Sequence, residues 1–328
     1  MQFKLISFSS MFIAVIFGAI IYATPAKAQT LSNLPENQLV LPSEAYSIPF
    51  YWQGDSIHSK WEPHTAILIP VNLTNCPRQF YMQFDLGSPY SILYKNKLAA
   101  IQMKYPASIP SGVIDEKLIN FSFEAGKMPI SAKEIVVKQF DNSAVNWKDK
   151  SSIEIIGTIG ADLIEGKVAI IDYPHRKLTI TQRIPVKLMP HISLTDFIYS
   201  NRSVLFPAKI NGRETILYFD TGSSMFELLT DKETCDQLAI PNAELIKFPV
   251  KSWDKLLTAN TRASNKSIEL ANTIIPLRSS SYMEGISDSQ IEQMSKMGIG
   301  GMTGNKLFLE YKLVLDTRNK KFGLIRSL

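Results

Sequence analysis

Phe219-Asp220-Thr221-Gly222-Ser223-Ser224 is the stretch on which the reading of this chain turns. It follows Lys209-Ile210-Asn211-Gly212-Arg213, where an Asn-Gly pair separates two apolar runs. That arrangement is the strongest short-range hairpin signal. The second hairpin strand, Thr215 to Phe219, therefore ends at Asp220. Gly222 permits a tight turn that a Cβ would resist. A carboxylate so placed is held rigidly at a strand end, as a reacting group requires. An isolated Asp-Thr-Gly arises by chance in about one chain of this length in twenty, so its surroundings decide its meaning.

Those surroundings contain an imperfect copy, Phe84-Asp85-Leu86-Gly87-Ser88-Pro89, reached by the apolar run Gln79 to Phe84. Further landmarks recur in the same order. Pro70-Val71-Asn72-Leu73 is matched by Pro207-Ala208-Lys209-Ile210, and Gly157-x-x-Gly160 by Gly301-x-x-Gly304. An Asp, Asp172 or Asp316, lies twelve residues beyond the later glycine of each pair. Lys177-Leu178-Thr179-Ile180 then mirrors Lys321-Phe322-Gly323-Leu324. Several landmarks in matching order indicate an internal duplication, two similar β halves that each give one carboxylate to a shared cleft.

Short β-branched runs broken by turn residues predict a mainly β chain. Strands are expected at Tyr46 to Phe50, Thr65 to Leu73, Ile135 to Val137, Ile155 to Ile159 and Val168 to Asp172. Tyr90 to Ile101 reads as a strand and then a short helix, and Phe121 to Ile130 as a hairpin around Glu124-Ala125-Gly126-Lys127. Pro185 and Pro190, in a stretch of weak periodicity, mark a boundary. The expected organisation is a signal peptide over 1–28, a lead-in over 29–45, an N-terminal β lobe over 46–185 carrying Asp85, a linker over 186–200 and a C-terminal β lobe over 201–328 carrying Asp220. Ser279-Ser280-Ser281 reads as an exposed loop, and Ser287-Asp288-Ser289-Gln290 as a capping box opening a short helix. Trp253 has two readings, a groove wall or a packed aromatic.

The composition is that of an ordinary globular chain, 328 residues with 45% hydrophobic and 20% charged. The net charge of +5 is mild, and no basic run with interleaved aromatics speaks for nucleic acid. Lys4, the apolar run Leu5 to Ala23 and Ala26-Lys27-Ala28 form the order of a secretory signal, with a mature start near Gln29. The alternative is an uncleaved anchor, since the apolar run is long enough to span a bilayer. Export to the periplasm or the medium is expected, with no membrane association after cleavage. Cys76 and Cys235 have two readings, a pair formed in an oxidising compartment or two separate thiols, and the repeat speaks for the second by giving them no matching positions.

Other chemistries lack their motifs. There is no Gly-x-Ser-x-Gly elbow and no His-Glu-x-x-His, and the four histidines His58, His64, His175 and His191 are scattered. The glycine-rich segments lack the Lys-Ser/Thr ending of a phosphate loop. No metal and no cofactor are expected. Asp172 and Asp316, at strand ends before turns, read as structural.

Two Phe-Asp-x-Gly-Ser turns, each followed later by an apolar-apolar-Gly segment, resemble the pepsin/retropepsin superfamily of aspartic proteases. The resemblance covers roughly residues 62–328 and is strongest over Ile216 to Ser224. It implies two similar six-stranded-type β-barrel lobes with a central cleft. Asp85 and Asp220 would form a catalytic dyad, supported by Gly87, Ser88, Thr221, Gly222 and Ser223. Ile155-Ile156-Gly157 and Gly298-Ile299-Gly300 would cross beneath the two turns. Two carboxyls so close cannot both ionise cheaply and share one proton. The ionised one draws a proton from water, and the protonated one stabilises the oxyanion of the scissile carbonyl.

The implied function is endopeptidase action on peptide or protein; the alternative is a catalytically weak or inactive member of the fold that binds extended peptides. The sequence sets no oligomeric state. Two departures from the family pattern stand out. Leu86 occupies the place of a Thr or Ser whose hydroxyl braces the opposing turn, and the hairpin at Phe121 to Ile130 lacks the Tyr of a pepsin flap.

Overall fold

The computed structural model describes residues 34–109, 116–140, 142–252, 255–286, 294 and 296–326. The expected signal segment 1–28, Trp253 and the capping box 287–290 lie outside the described residues. No helix among the described residues is long and apolar enough to cross a membrane. The chain is mainly β, and the described strands form three sheets where two barrels were expected. Eight strands between Leu39–Val40 and Ile155–Ile159 make the first, and seven between Ile198–Ser200 and Ile299–Thr303 make another. A six-stranded sheet draws three strands from each half of the chain.

The duplication is visible in that shared sheet. Its two central strands, Val168–Asp172 and Tyr311–Asp316, run antiparallel with Ile170 opposite Val314. Asp316 therefore faces Val168 while Asp172 faces Lys312, as a two-fold relation demands. Lys177–Thr181 and Lys321–Arg326 flank them, and Tyr46–Pro49 and Thr195–Asp196 complete the edges. Each edge strand continues into an equivalent bond: Phe50 N–H donates to Arg176 O at 2.9 Å, and Phe197 N–H to Lys320 O at 3.0 Å.

The stretch 186–200 that reads as a linker holds a 3-10 helix, Val186–His191, and two short strands. Leu39–Val40, in the lead-in, pairs with the strand Met128–Lys138. Asp172 and Asp316 close turns as short acidic side chains commonly do. Asp172 meets His175 Nδ1 at 2.8 Å, and Asp316 accepts from the Asn319 backbone and side chain at 2.9 and 2.8 Å.

The Asn-Gly hairpin forms as its residues dictate. Ser203–Ile210 and Arg213–Phe219 pair with Ile210 opposite Arg213, and Asn211 and Gly212 take φ of 49° and 81°. Both turn residues lie in the left-handed region that a two-residue hairpin of this kind needs. One prediction from composition fails. Ser279, Ser280 and Ser281 lie within the strand Thr273–Glu284, and the latter two are buried. Neighbours supply their hydroxyl partners: Thr261 Oγ1 stands 2.7 Å from Ser281 Oγ, and Cys235 Sγ 3.4 Å from Ser280 Oγ. A serine run therefore enters the interior at little cost, because its polar groups are paired there. Cys76 and Cys235 are free thiols.

An aromatic cluster ties the strand before Asp220 to the shared sheet. Phe206 stacks on Phe322 at 4.3 Å between ring centres, and Phe219 meets Phe308 edge-on at 5.3 Å. All four rings are fully buried. Truncating Phe322 leaves a cavity against Phe206 that the sheet cannot close. Phe322→Ala is expected to lose about 3–5 kcal/mol in a urea titration.

Candidate active site

Each aspartate sits where a strand leaves its sheet. The strand Phe80–Phe84 pairs parallel with Ile155–Ile159, and Arg213–Phe219 pairs parallel with Ile299–Thr303. Both pairs carry a register shift at the same place, before Met82 opposite Gly157 and before Leu217 opposite Gly301. The counterpart of Ile155-Ile156-Gly157 is thus Ile299-Gly300-Gly301, one residue beyond the expected Gly298-Ile299-Gly300. Past the strands, Asp85 N–H donates to Ile159 O and Asp220 N–H to Thr303 O, both at 3.0 Å. Two equal frameworks thus deliver two equivalent turns.

The turns meet face to face, with both carboxyls fully buried. Gly87 N–H donates to Asp85 Oδ1 at 2.9 Å and to Asp220 Oδ1 at 3.1 Å. A Cβ on Gly87 would stand 2.5 Å from Asp220 Oδ1, and one on Gly222 would stand 2.5 Å from Asp85 Oδ1. The glycines are therefore required by the opposite carboxyl and not only by the bend of their own turn. Thr221 supplies a cross-brace. Its hydroxyl accepts from Leu86 N–H at 2.8 Å and donates to Phe84 O at 2.9 Å.

The site is not symmetric. Leu86 has no hydroxyl to return the brace and packs in the core instead. Ser223 Oγ donates to Asp220 Oδ2 at 2.8 Å, and Gly222 N–H to Asp220 Oδ1 at 2.7 Å. Ser88, expected to do the same for Asp85, donates to Tyr90 O at 2.7 Å. Asp85 Oδ2 is buried and meets no donor among the described residues.

A further support escaped the sequence reading. Asn305 Nδ2 donates to Thr221 O at 2.9 Å and to Ser224 Oγ at 3.0 Å, and its Oδ1 accepts from Tyr173 OH at 2.8 Å. Asn305 directly follows the Gly301-x-x-Gly304 landmark, but its counterpart after Gly160 is Ala161, so the repeat does not flag it.

Electrostatics follow the asymmetry. Burial, then the Asp220 charge, push the Asp85 carboxyl well above the usual carboxylate range. Burial raises Asp220 as well, while hydrogen bonds from Ser223, Asp85, Gly222 and Gly87 oppose the rise. Both carboxyls are raised, so the pair keeps a proton above the usual carboxylate range and titrates as a unit. In the folded state that proton survives at pH values where an unfolded Asp, near 3.8, has lost it. The folded state then binds more protons than the unfolded one, so stability falls as pH rises above 3.8 towards the raised value of the pair. Asn at position 85 is neutral at every pH and removes this term. Asp85→Asn is expected to melt at a higher temperature than wild type at pH 7, and at nearly the same temperature at pH 3. Melting curves at the two pH values test this.

The site is thus a fully buried aspartate pair carried by the matching strand ends of a mainly β chain. No family model matches the chain, and neither does any curated protein. Among solved structures, the aspartic proteinase from Irpex lacteus aligns with 87% of this chain and 98% of that chain, at 11% identity and a TM-score of 0.48.

Proposed function

We propose that this chain is an aspartic endopeptidase that hydrolyses peptide bonds with a water activated between Asp85 and Asp220. The observation that supports it is the approach of two buried carboxyls from two equivalent turns, with Gly87 N–H donating to both. Asp220 accepts three hydrogen bonds that suit an anion and acts as the base. Its carboxylate takes a proton from the water as oxygen attacks the scissile carbonyl carbon. Asp85 holds the other proton and donates it as a hydrogen bond to the carbonyl oxygen, where negative charge develops. As the tetrahedral intermediate collapses the C–N bond breaks, Asp220 gives the proton it took from water to the leaving amine, and Asp85 keeps its own, which restores the starting pair. No covalent bond to the chain forms.

Activity by this route requires one proton on the pair. The rate is expected to fall below the pH at which Asp220 also protonates and above the pH at which Asp85 ionises, giving a bell-shaped profile. Digestion of a peptide library from acidic to neutral pH measures it. Asp85→Asn and Asp220→Asn should each lower the rate by about 10²–10⁴-fold or more, since one carboxyl cannot serve as both acid and base.

A second reading, peptide binding without turnover, is favoured by Leu86 and by Ser88 turning away from Asp85. Wild type that cleaves nothing at any pH but retains peptides would establish it.

We further propose that the protein acts after export, on the order Lys4, apolar run and Ala26-Lys27-Ala28. N-terminal sequencing of the exported protein is expected to begin near Gln29. A start at Met1 in a membrane fraction would favour the anchor.

A further inference from the structure

The two aspartate turns are held by equivalent segments that use different residues. In the second half the segment is Gly304-Asn305-Lys306. Asn305 Nδ2 bonds Thr221 O and Ser224 Oγ, Lys306 N–H donates to Ser224 O at 2.9 Å, and Gly304 N–H donates to Phe226 O at 3.0 Å. The counterpart in the first half is Gly160-Ala161-Asp162, where Ala161 has no side-chain donor to offer. Leu86 has no hydroxyl for the Asp85 turn, and Ser88 spends its own on Tyr90 O.

The return arm of that turn, Ser88 to Ser91, is bound to the segment along its length. Ala161 N–H donates to Ser88 O at 2.7 Å, and Gly160 N–H donates to Ser91 Oγ at 3.1 Å. The Asp162 carboxyl takes both donors of Ser91, the backbone N–H at 2.7 Å and the hydroxyl at 2.8 Å. A Cβ on Gly160 would stand 2.5 Å from the Tyr90 carbonyl carbon, so arm and segment lie in contact. Ser91 is the sixth residue after Asp85, and the sixth after Asp220 is Phe226. A serine bound to a carboxyl therefore stands in the first half where an apolar ring stands in the second.

Asp162 and Ser91 are both buried. Burial pushes the Asp162 carboxyl up to about 6, against the pull of both Ser91 bonds and of the Arg202 charge. An apolar side chain fills space at lower cost. A carboxyl in this place supplies two acceptors in a fixed orientation, which no apolar residue does. Arg202 reaches the same place from the second half and is itself buried. Its guanidinium lies over the Tyr90 ring at 5.2 Å and donates to Glu165 Oε2 at 2.9 and 3.0 Å and to Pro35 O at 3.1 Å. The phenols of Tyr90 and Tyr199 also feel the Asp162 charge.

We propose that Asp162 is a positioning residue for Asp85, which through Ser91 fixes the return arm of the turn in place of the hydroxyl that Ser88 turns elsewhere. This rests on the reading of Asp85 and Asp220 as the reacting pair. Burial and the Asp220 charge are what raise Asp85, and both weaken with any retreat of its turn. Small misplacements of a reacting group act on the rate. A loosened arm therefore shows in kcat and in the titration of the pair, and little in peptide binding.

The test compares Asp162→Ala, Asp162→Asn, Ser91→Ala and the two Ala changes combined, with folding checked by melting curves. Asn at position 162 keeps both contacts, its Oδ1 accepting from Ser91 N–H and its Nδ2 donating to Ser91 Oγ. Two readouts are taken. One is kcat and KM on a peptide that wild type cleaves. The other is the carboxyl titration of the Asp85–Asp220 pair, followed by NMR of protein labelled at the aspartate carboxyl carbon and assigned with Asp85→Asn and Asp220→Asn. The expected result for Asp162→Ala is a loss of about tenfold in kcat with KM within about twofold. Ser91→Ala, which keeps the backbone bond, loses less, and the combined change is no worse than Asp162→Ala. Asp162→Asn stays near wild type. The titration of the pair moves down towards the ordinary carboxylate range in the Ala variants and stays in place in Asp162→Asn. A folded Asp162→Ala with wild-type kcat and titration would overturn the proposal, and so would equal losses in Asp162→Asn and Asp162→Ala. If Asp162→Ala does not fold, an unchanged Ser91→Ala or an impaired Asp162→Asn overturns it by the same readouts. Wild type that cleaves nothing would remove the catalytic reading alone. The titration would then decide the positioning role, sustained by a shift in the Ala variants that Asp162→Asn lacks and overturned by its absence.

Discussion

Two carboxyls are held against each other with no room between the turns that carry them. Burying one carboxylate is costly and burying two in contact is costlier, so the surroundings must be built for the pair. Gly87 and Gly222 leave space where any side chain would strike the opposite carboxyl. Thr221 joins the two turns through Leu86 N–H and Phe84 O. The shared proton removes most of the repulsion. Each feature follows from the same approach, and none has a purpose if the halves separate.

The six-stranded sheet is what keeps them together. Three strands from each half make it, so neither half completes it alone. Its two central strands are antiparallel about Ile170 and Val314, which sets the halves in a two-fold relation. The Phe206–Phe322 and Phe219–Phe308 contacts carry that relation to the residue next to Asp220. Position at the site is thus inherited from a sheet whose own residues do no chemistry.

The two-fold relation breaks down at the aspartates themselves. Asp220 has Ser223, Thr221 and Asn305 behind it; Asp85 has Leu86 and a Ser88 that turns away. A symmetric pair would have no reason to put its proton on one side. Unequal hydrogen bonding supplies one, because the donors gathered at Asp220 oppose the rise that burial gives both groups. The long hairpin after Phe50 is the same kind of departure on a larger scale, because only one half has it.

Much of this was legible in the residues. The Asn-Gly turn, the two Asp-x-Gly-Ser stretches, the Gly-x-x-Gly pairs and the strand-end aspartates are local signals, and local backbone chemistry determines where they fall. Their order disclosed the duplication, and with it that Asp85 and Asp220 belong together. What the sequence could not show depends on contacts between distant segments. Ser279 to Ser281 look like a loop until Thr261 and Cys235 are beside them. Ser88 matches Ser223 in spacing, yet its hydroxyl finds Tyr90 O. Asn305 has no counterpart in the first half, and the Glu62–Lys306 ion pair joins residues far apart in the chain. Pattern determines which backbone turns and which strand alternates; only packing decides which donor a buried oxygen meets, because that partner comes from another part of the chain.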